Sequence, residues 1–484
     1  MIGHATGTRR SADRVGAGHD PTGRPWQRLT ATDLINLNVE TPTAPTRVGA
    51  VAVLDGRALL DSAGRLRLGE VRGTIDRRLD RVPRLRQVIH RAGPLSGGPV
   101  WVDDATFRVD RHVHQVDLPP GVPLLDLATR LVAGPLDHRY PLWRMWFVTG
   151  LPDGRVALVF GMHHVVADGI TTIRLIGALM DSGAQAAREP HRPWTARPAP
   201  TRGALVRDSL QATLAGVRRL RHLPAALPGQ VLMLVRTRGA PRTSLNHPVG
   251  ARRRLAAVTV DLEAAREVAH RHHAKINDLV LALAAGGIRA LLRSRSEPAD
   301  GLRLHVSVAV SLRPTTAQAD VGNRSGGIVV RVPLDPDPHR RLREIARDSA
   351  RAKQHQLPTT GNSLLVWLAR VGLLRHVSRH QRMVNVVESN VAGPTGTITL
   401  LGAPVVAIFP IGTLVGNLSL GFLALSYAGR LTIAVQADAD RYPDLPVLIA
   451  AMHRDYAALR AAGPRGTALG APPRPGWRFA ATVC

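Results

Sequence analysis

The sequence predicts a mixed α/β (α+β) fold in two domains, and three observations carry that reading. The chain has 484 residues, 44% of them hydrophobic, which is enough to build two sizeable cores. From residue 29 to residue 461, short runs rich in Val, Ile and Leu alternate with stretches of helical spacing. Between those halves Pro190, Pro193, Pro198, Pro200, Pro224, Pro228, Pro241 and Pro248 interrupt the pattern, as an interdomain linker would. The expected partition is a disordered tail at 1–28, a first domain at 29–188, a linker at 189–245, a second domain at 246–462 and a disordered tail at 463–484.

Taken in order, residues 48–54 read as a strand, 68–79 as a helix, 100–102 as a strand and 124–132 as a helix. A proline-bracketed turn at 134–143 feeds a strand at 144–151, which turns across Pro152, Asp153 and Gly154 into a second apolar strand at 156–160. A helix follows at 170–180. In the linker, Val206, Leu210, Leu214 and Val217 keep helical spacing beside Arg207, Arg218, Arg219, Arg221 and His222. Such a basic amphipathic helix either packs on the protein with a solvated basic face or lies on an anionic bilayer.

The second half repeats the alternation, with a strand at 255–260, a helix from 262, another through 277–289 and strands at 304–310 and 328–332. The glycine-rich run 322–327 lacks the spacing of a phosphate-binding loop. A strand at 383–387 leads into a loop at 388–394. Residues 402–429 carry no charge, yet Pro404, Pro410, Gly412, Gly416 and Gly421 argue for buried strands over a membrane-spanning helix. The last helix spans 445–461.

The formal charge of +28 rests almost wholly on arginine, since Lys275 and Lys353 are the only lysines. Nucleic-acid binding does not follow, because the charge is spread along the chain with 4% aromatic residues and no recognisable binding module. One cysteine, Cys484, excludes a disulfide framework and a thiolate metal site, and fits a reducing compartment. Residues 1–28 contain no apolar segment of the kind a secretory signal needs.

Dense chemistry occurs at one place, Gly161-Met162-His163-His164-Val165-Val166-Ala167-Asp168-Gly169, on an expected strand-to-helix turn. Histidine is the side chain best suited to take a proton near neutral pH once its ring is held in one orientation. Taken singly, His163 or His164 reads as a satisfied core histidine and Asp168 as a helix cap. Four residues separate Asp168 from His164, a spacing that shapes the turn more readily than it supplies a second base.

Together these residues form His-His-x-x-x-Asp-Gly, which resembles the motif of acyltransferases on the chloramphenicol acetyltransferase-like fold, shared with peptide synthetase condensation domains. Three further blocks narrow the resemblance to the bacterial wax ester synthase/diacylglycerol acyltransferase family: Pro141-Leu142-Trp143, Asn277-Asp278, and Ser389-Asn390-Val391-Ala392-Gly393-Pro394, where the family usually has Pro at the position of Ala392. The resemblance implies two chloramphenicol acetyltransferase-like domains with a tunnel between them. It implies His164 as general base, with His163, Asp168 and Gly169 supporting it. It also implies that Arg313 pairs with Asp168 across the domains and that Asn277 and Asp278 approach the substrate channel.

The implied reaction moves a fatty acyl group from acyl-CoA to diacylglycerol or a long-chain alcohol, giving triacylglycerol or wax ester with neither cofactor nor metal. Acyl-CoA is then a co-substrate, and the expected location is the cytoplasm, peripherally attached to membrane or lipid inclusions. A related acyltransferase using a carrier-protein thioester or another acceptor stays open, as does a non-catalytic lipid-associated protein.

Overall fold

The computed structural model describes residues 26–181, 194–220, 239–311, 325–354, 368–369 and 372–461. Two six-stranded sheets dominate it. The first runs in the order Thr399–Leu400, Ala403–Ile411, Arg47–Asp55, Arg155–His163, Trp143–Thr149 and Val113–Asp117, with only the last pair parallel. The second runs Ser325–Pro333, Arg303–Ser311, Val386–Ala392, Leu420–Tyr427, Arg430–Asp438 and Arg253–Asp261. Within it, Val386–Ala392 is parallel to both of its neighbours.

The division by sheet is not the division by sequence. Ala403–Ile411 comes from the second half of the chain yet pairs antiparallel with Arg47–Asp55, placing Ile411 opposite Gly49. Leu400, Ala403 and Val405 are buried in the first half's core, so apolar burial fixes this crossover. The expected partition at 246–462 missed it because an apolar strand carries no mark of which sheet it joins. The uncharged stretch 402–429 is made of strands and turns, and no helix among the described residues is long and apolar enough to cross a membrane.

Helix Ile276–Ser294 packs on the second sheet and is buried along most of its length, which accounts for its run of Leu, Val and Ala. Helix Leu445–Ala461 crosses it at two glycines. A Cβ on Gly287 would stand 3.0 Å from the Leu448 carbonyl oxygen, and one on Gly286 would overlap the Asp455 carboxylate, so the close crossing requires both. Asp455 in turn pairs with the buried Arg341.

Two local expectations need correction. Gln27–Arg28, assigned to a tail, is a strand paired with Val100 and Trp101, and Trp26 packs against Val100, Val102 and Leu205. Residues 1–25 and 462–484 lie outside the described residues. The loop expected at 388–394 is instead mostly strand, Val386–Ala392. Its polar Ser389 and Asn390 suit a loop, but they pair with Leu423 and Ala424 of the neighbouring strand and line a cavity. In the linker, helix Arg202–Leu220 docks through Leu205 and Asp208, the latter held by Arg28 Nε at 2.6 Å.

Candidate active site

Strand Arg155–His163 lies between Arg47–Asp55 and Trp143–Thr149, and its last residue, His163, sits opposite Arg47. The Pro141-Leu142-Trp143 block is structural. Trp143 is buried, donates from Nε1 to the Leu85 carbonyl at 2.7 Å and stacks on His112 with ring centroids 4.6 Å apart. The Leu142 carbonyl accepts the His163 N–H at 2.9 Å, so this block fixes where the strand ends.

At that end the two histidines diverge. His163 is fully buried, and its Nδ1 accepts from the Val165 N–H at 3.0 Å. An accepting Nδ1 puts the neutral ring's proton on Nε2, which stands 2.9 Å from Glu40 Oε2 and 3.1 Å from Thr46 Oγ1. Burial holds the His163 pKa down at about 4, against the opposing pull of Glu40. Glu40 also pairs with the buried Arg47 at 2.6 Å. Burial alone would raise the Glu40 carboxyl, but the His163 hydrogen bond and the charges of His163 and Arg47 outweigh it and leave the pKa lowered. His163 is therefore held in its neutral form at neutral pH and anchors the turn through these contacts.

His164 is only half-buried and lines a cavity of about 530 Å³. Its backbone N–H donates to the Thr46 carbonyl at 2.9 Å. Asn36, on helix Ala31–Val39, brings its amide nitrogen within 3.3 Å of both the His164 carbonyl oxygen and His164 Nδ1. The carbonyl can only accept, so it dictates that the NH2 end of Asn36 faces His164. In the tautomer that leaves Nε2 its lone pair, Nδ1 carries the proton and the Asn36 amide donates to the carbonyl alone, holding the backbone that carries the ring.

Asp168 caps helix Gly169–Leu179, accepting from the Thr171 N–H at 2.8 Å and the Thr171 hydroxyl at 2.7 Å. It is buried and borders the same cavity, so it shapes the turn as its spacing suggested. Gly169 touches the other half of the molecule: a Cβ there would come within 3.3 Å of Val391 Cγ2. That close approach is the local reason for a glycine at this position.

The opposite wall of the cavity comes from the second sheet and includes Ser307, Ser389, Asn390, Gly421 and Leu423. The Ser389 and Asn390 block is thus brought to His164. Asn277 and Asp278 are not among the lining residues. Asp278 instead accepts the Lys275 N–H at 2.8 Å in a capping box at the start of Ile276–Ser294, and this capping geometry turns its carboxylate back onto its own helix. Arg313 lies outside the described residues. Asn36, Glu40, Thr46 and Arg47 were not singled out by sequence, because their contacts with the histidine pair span more than a hundred residues and no local spacing records them.

Residues 29–280 match the wax ester synthase/diacylglycerol acyltransferase catalytic domain, and residues 321–460 match the WS/DGAT C-terminal domain. A Mycobacterium tuberculosis relative named "Probable diacyglycerol O-acyltransferase tgs1" is 30% identical over 414 residues, covering 82% of this chain and 87% of its own. Among solved structures, the wax ester synthase/diacylglycerol acyltransferase from Marinobacter aquaeolei VT8 superposes with a TM-score of 0.64 at 22% identity, covering 90% of this chain and 99% of its own. The starter condensation domain of rhizomide synthetase shares the fold, with a TM-score of 0.57 at 14% identity over 92% of this chain and 96% of its own. Two matched domains in family order, on the fold of a solved family member, show that this chain belongs to the wax ester synthase/diacylglycerol acyltransferase family and is an acyltransferase.

Proposed function

We propose that this acyltransferase moves a fatty acyl group from acyl-CoA to the hydroxyl of diacylglycerol or a long-chain alcohol, with His164 as general base. The observation that carries the reading is the contrast within the histidine pair. His163 is sealed behind the strand, while His164 borders a cavity built from both sheets and walled by Ile35, Val310, Leu414 and Leu423 among other apolar side chains. Such a cavity suits acyl chains and limits water, which would otherwise compete as acceptor.

In the proposed step His164 takes the hydroxyl proton as the oxygen attacks the thioester carbonyl. The tetrahedral oxyanion then collapses, the carbon–sulfur bond breaks, and the imidazolium returns the proton to the departing CoA thiolate. No covalent enzyme intermediate enters the scheme. The test is ester formation by purified protein with a series of acyl-CoA chain lengths against diacylglycerol and long-chain alcohols. Turnover with acyl-carrier protein but not with acyl-CoA would move the reading to a carrier-dependent enzyme. Because such esters are insoluble, we also place the enzyme's work at a lipid surface.

A further inference from the structure

Large apolar side chains left in water cluster at one edge of the molecule. Leu95 is 81% exposed, Leu210 59% and Leu214 65%, the three highest values for large hydrophobic side chains among the described residues. Leu210 and Leu214 lie one turn apart on helix Arg202–Leu220, on the side away from the docked Leu205 and Asp208. Leu95 sits in the turn between strands Gln87–His90 and Val100–Asp103, and it holds a φ of 66°, a left-handed backbone that ordinarily favours glycine. That turn is fastened to the helix. Arg202 donates to the Pro94 carbonyl at 3.4 Å, and Arg28 donates to the Ser96 and Gly98 carbonyls at 3.1 and 2.7 Å while holding Asp208.

Charge separates the candidate occupants of this edge. Helix Arg202–Leu220 contains four arginines and one acid, Asp208, which is buried against Arg28. Arg202 and Arg207 are exposed beside the leucines, so among the described side chains of this helix the exposed charges are all positive. Water solvates the arginines but opposes the exposed leucines, whereas the headgroup region of an anionic bilayer accepts both at once.

We propose that the edge carrying Leu95, Leu210 and Leu214, with Arg202 and Arg207, docks the protein on an anionic lipid bilayer. The proposal deepens the lipid-surface part of the proposed function and rests on it for its purpose. In sedimentation with phosphatidylglycerol-containing vesicles and with pure phosphatidylcholine vesicles, the full chain binds the anionic set more tightly, and salt weakens that binding. Leu95→Ser/Leu210→Ser/Leu214→Ser weakens binding to the anionic vesicles by about tenfold or more. Arg202→Gln/Arg207→Gln weakens it by about an order of magnitude on anionic vesicles and little on neutral ones. Leu373→Ser, a half-exposed leucine elsewhere on the chain, leaves binding unchanged.

Each variant is assayed in parallel with a short-chain, water-soluble acyl-CoA and alcohol. Retained turnover shows that the fold and the site survive the substitutions. A wild-type protein that ignores anionic vesicles, or variants that bind them as the wild type does, overturns the docking proposal. Absence of ester formation by the wild type counts against the acyl-transfer reading instead and leaves the vesicle result to decide this one.

Discussion

The amide nitrogen of Asn36 stands 3.3 Å from both Nδ1 and the carbonyl oxygen of His164, so a side chain from the first helix spans the ring and the backbone of the proposed base. Asn36→Leu keeps similar bulk but removes the donor to the His164 carbonyl, loosening the turn that positions the ring. We expect kcat to fall roughly 10- to 100-fold with little change in KM, in line with the cost of misplacing a reacting group. Asn36→Asp sets a carboxylate beside Nδ1, which favours the imidazolium and moves the acid limb of the pH–rate profile to higher pH. An unshifted limb in a folded Asn36→Asp protein would separate Asn36 from the base.

The Glu40 carboxylate joins His163 to Arg47 behind the turn. Glu40→Gln leaves a buried guanidinium without its anion, and denaturant unfolding should show a loss of about 2–4 kcal/mol, somewhat below a fully buried pair because the Glu40 side chain is 17% exposed. Glu40→Gln/Arg47→Gln should lose less than the sum of the single losses, as contacting charges do in a double-mutant cycle. Strict additivity would mean that the two act independently.

His163 and His112 are both held at about 4 by burial, below the ordinary histidine value of 6.5. Between those values the unfolded chain binds protons that the folded chain refuses, so unfolding gains favour as pH falls. Stability should be complete above about pH 6.5 and should drop between 6.5 and 4 with a slope approaching one proton per histidine. Urea midpoints across that range check it, and His163→Gln should flatten the slope.

Gly169 approaches Val391 across the two halves, with room for a Cβ only at 3.3 Å. Gly169→Val should cost about 1–3 kcal/mol by overpacking and lower turnover by disturbing the turn after His164. Adding Val391→Ala should return part of both losses. Failure of the second substitution to help would mean that Gly169 serves the turn's backbone and not the contact between halves.

What the sequence made legible follows from how local each signal is. Asp168 as a cap, Gly169 as a helix start and the hairpin around Asp153 are fixed by neighbours within four residues, and all three stand where spacing placed them. Helix Leu445–Ala461 was equally plain from its periodicity. The crossover of Ala403–Ile411 into the first sheet was not, because β pairing joins residues hundreds apart and an apolar strand suits either core. Ser389 and Asn390 misled for the opposite reason: their polarity suits a loop, and only the cavity beside them explains polar side chains on a central strand. Asn36 and Glu40 meet the histidines only through the folded chain.

The most direct test of the central claim is the turnover of His164→Ala with acyl-CoA and either diacylglycerol or a long-chain alcohol, beside a circular dichroism spectrum and a melting curve. His164 borders the cavity and does not hold the strand, so the variant should keep the wild-type fold while ester formation drops roughly 10² to 10⁴ fold, the usual worth of a general base. His163→Ala should cost less in turnover and more in stability. A folded His164→Ala protein that makes ester at the wild-type rate would contradict the account.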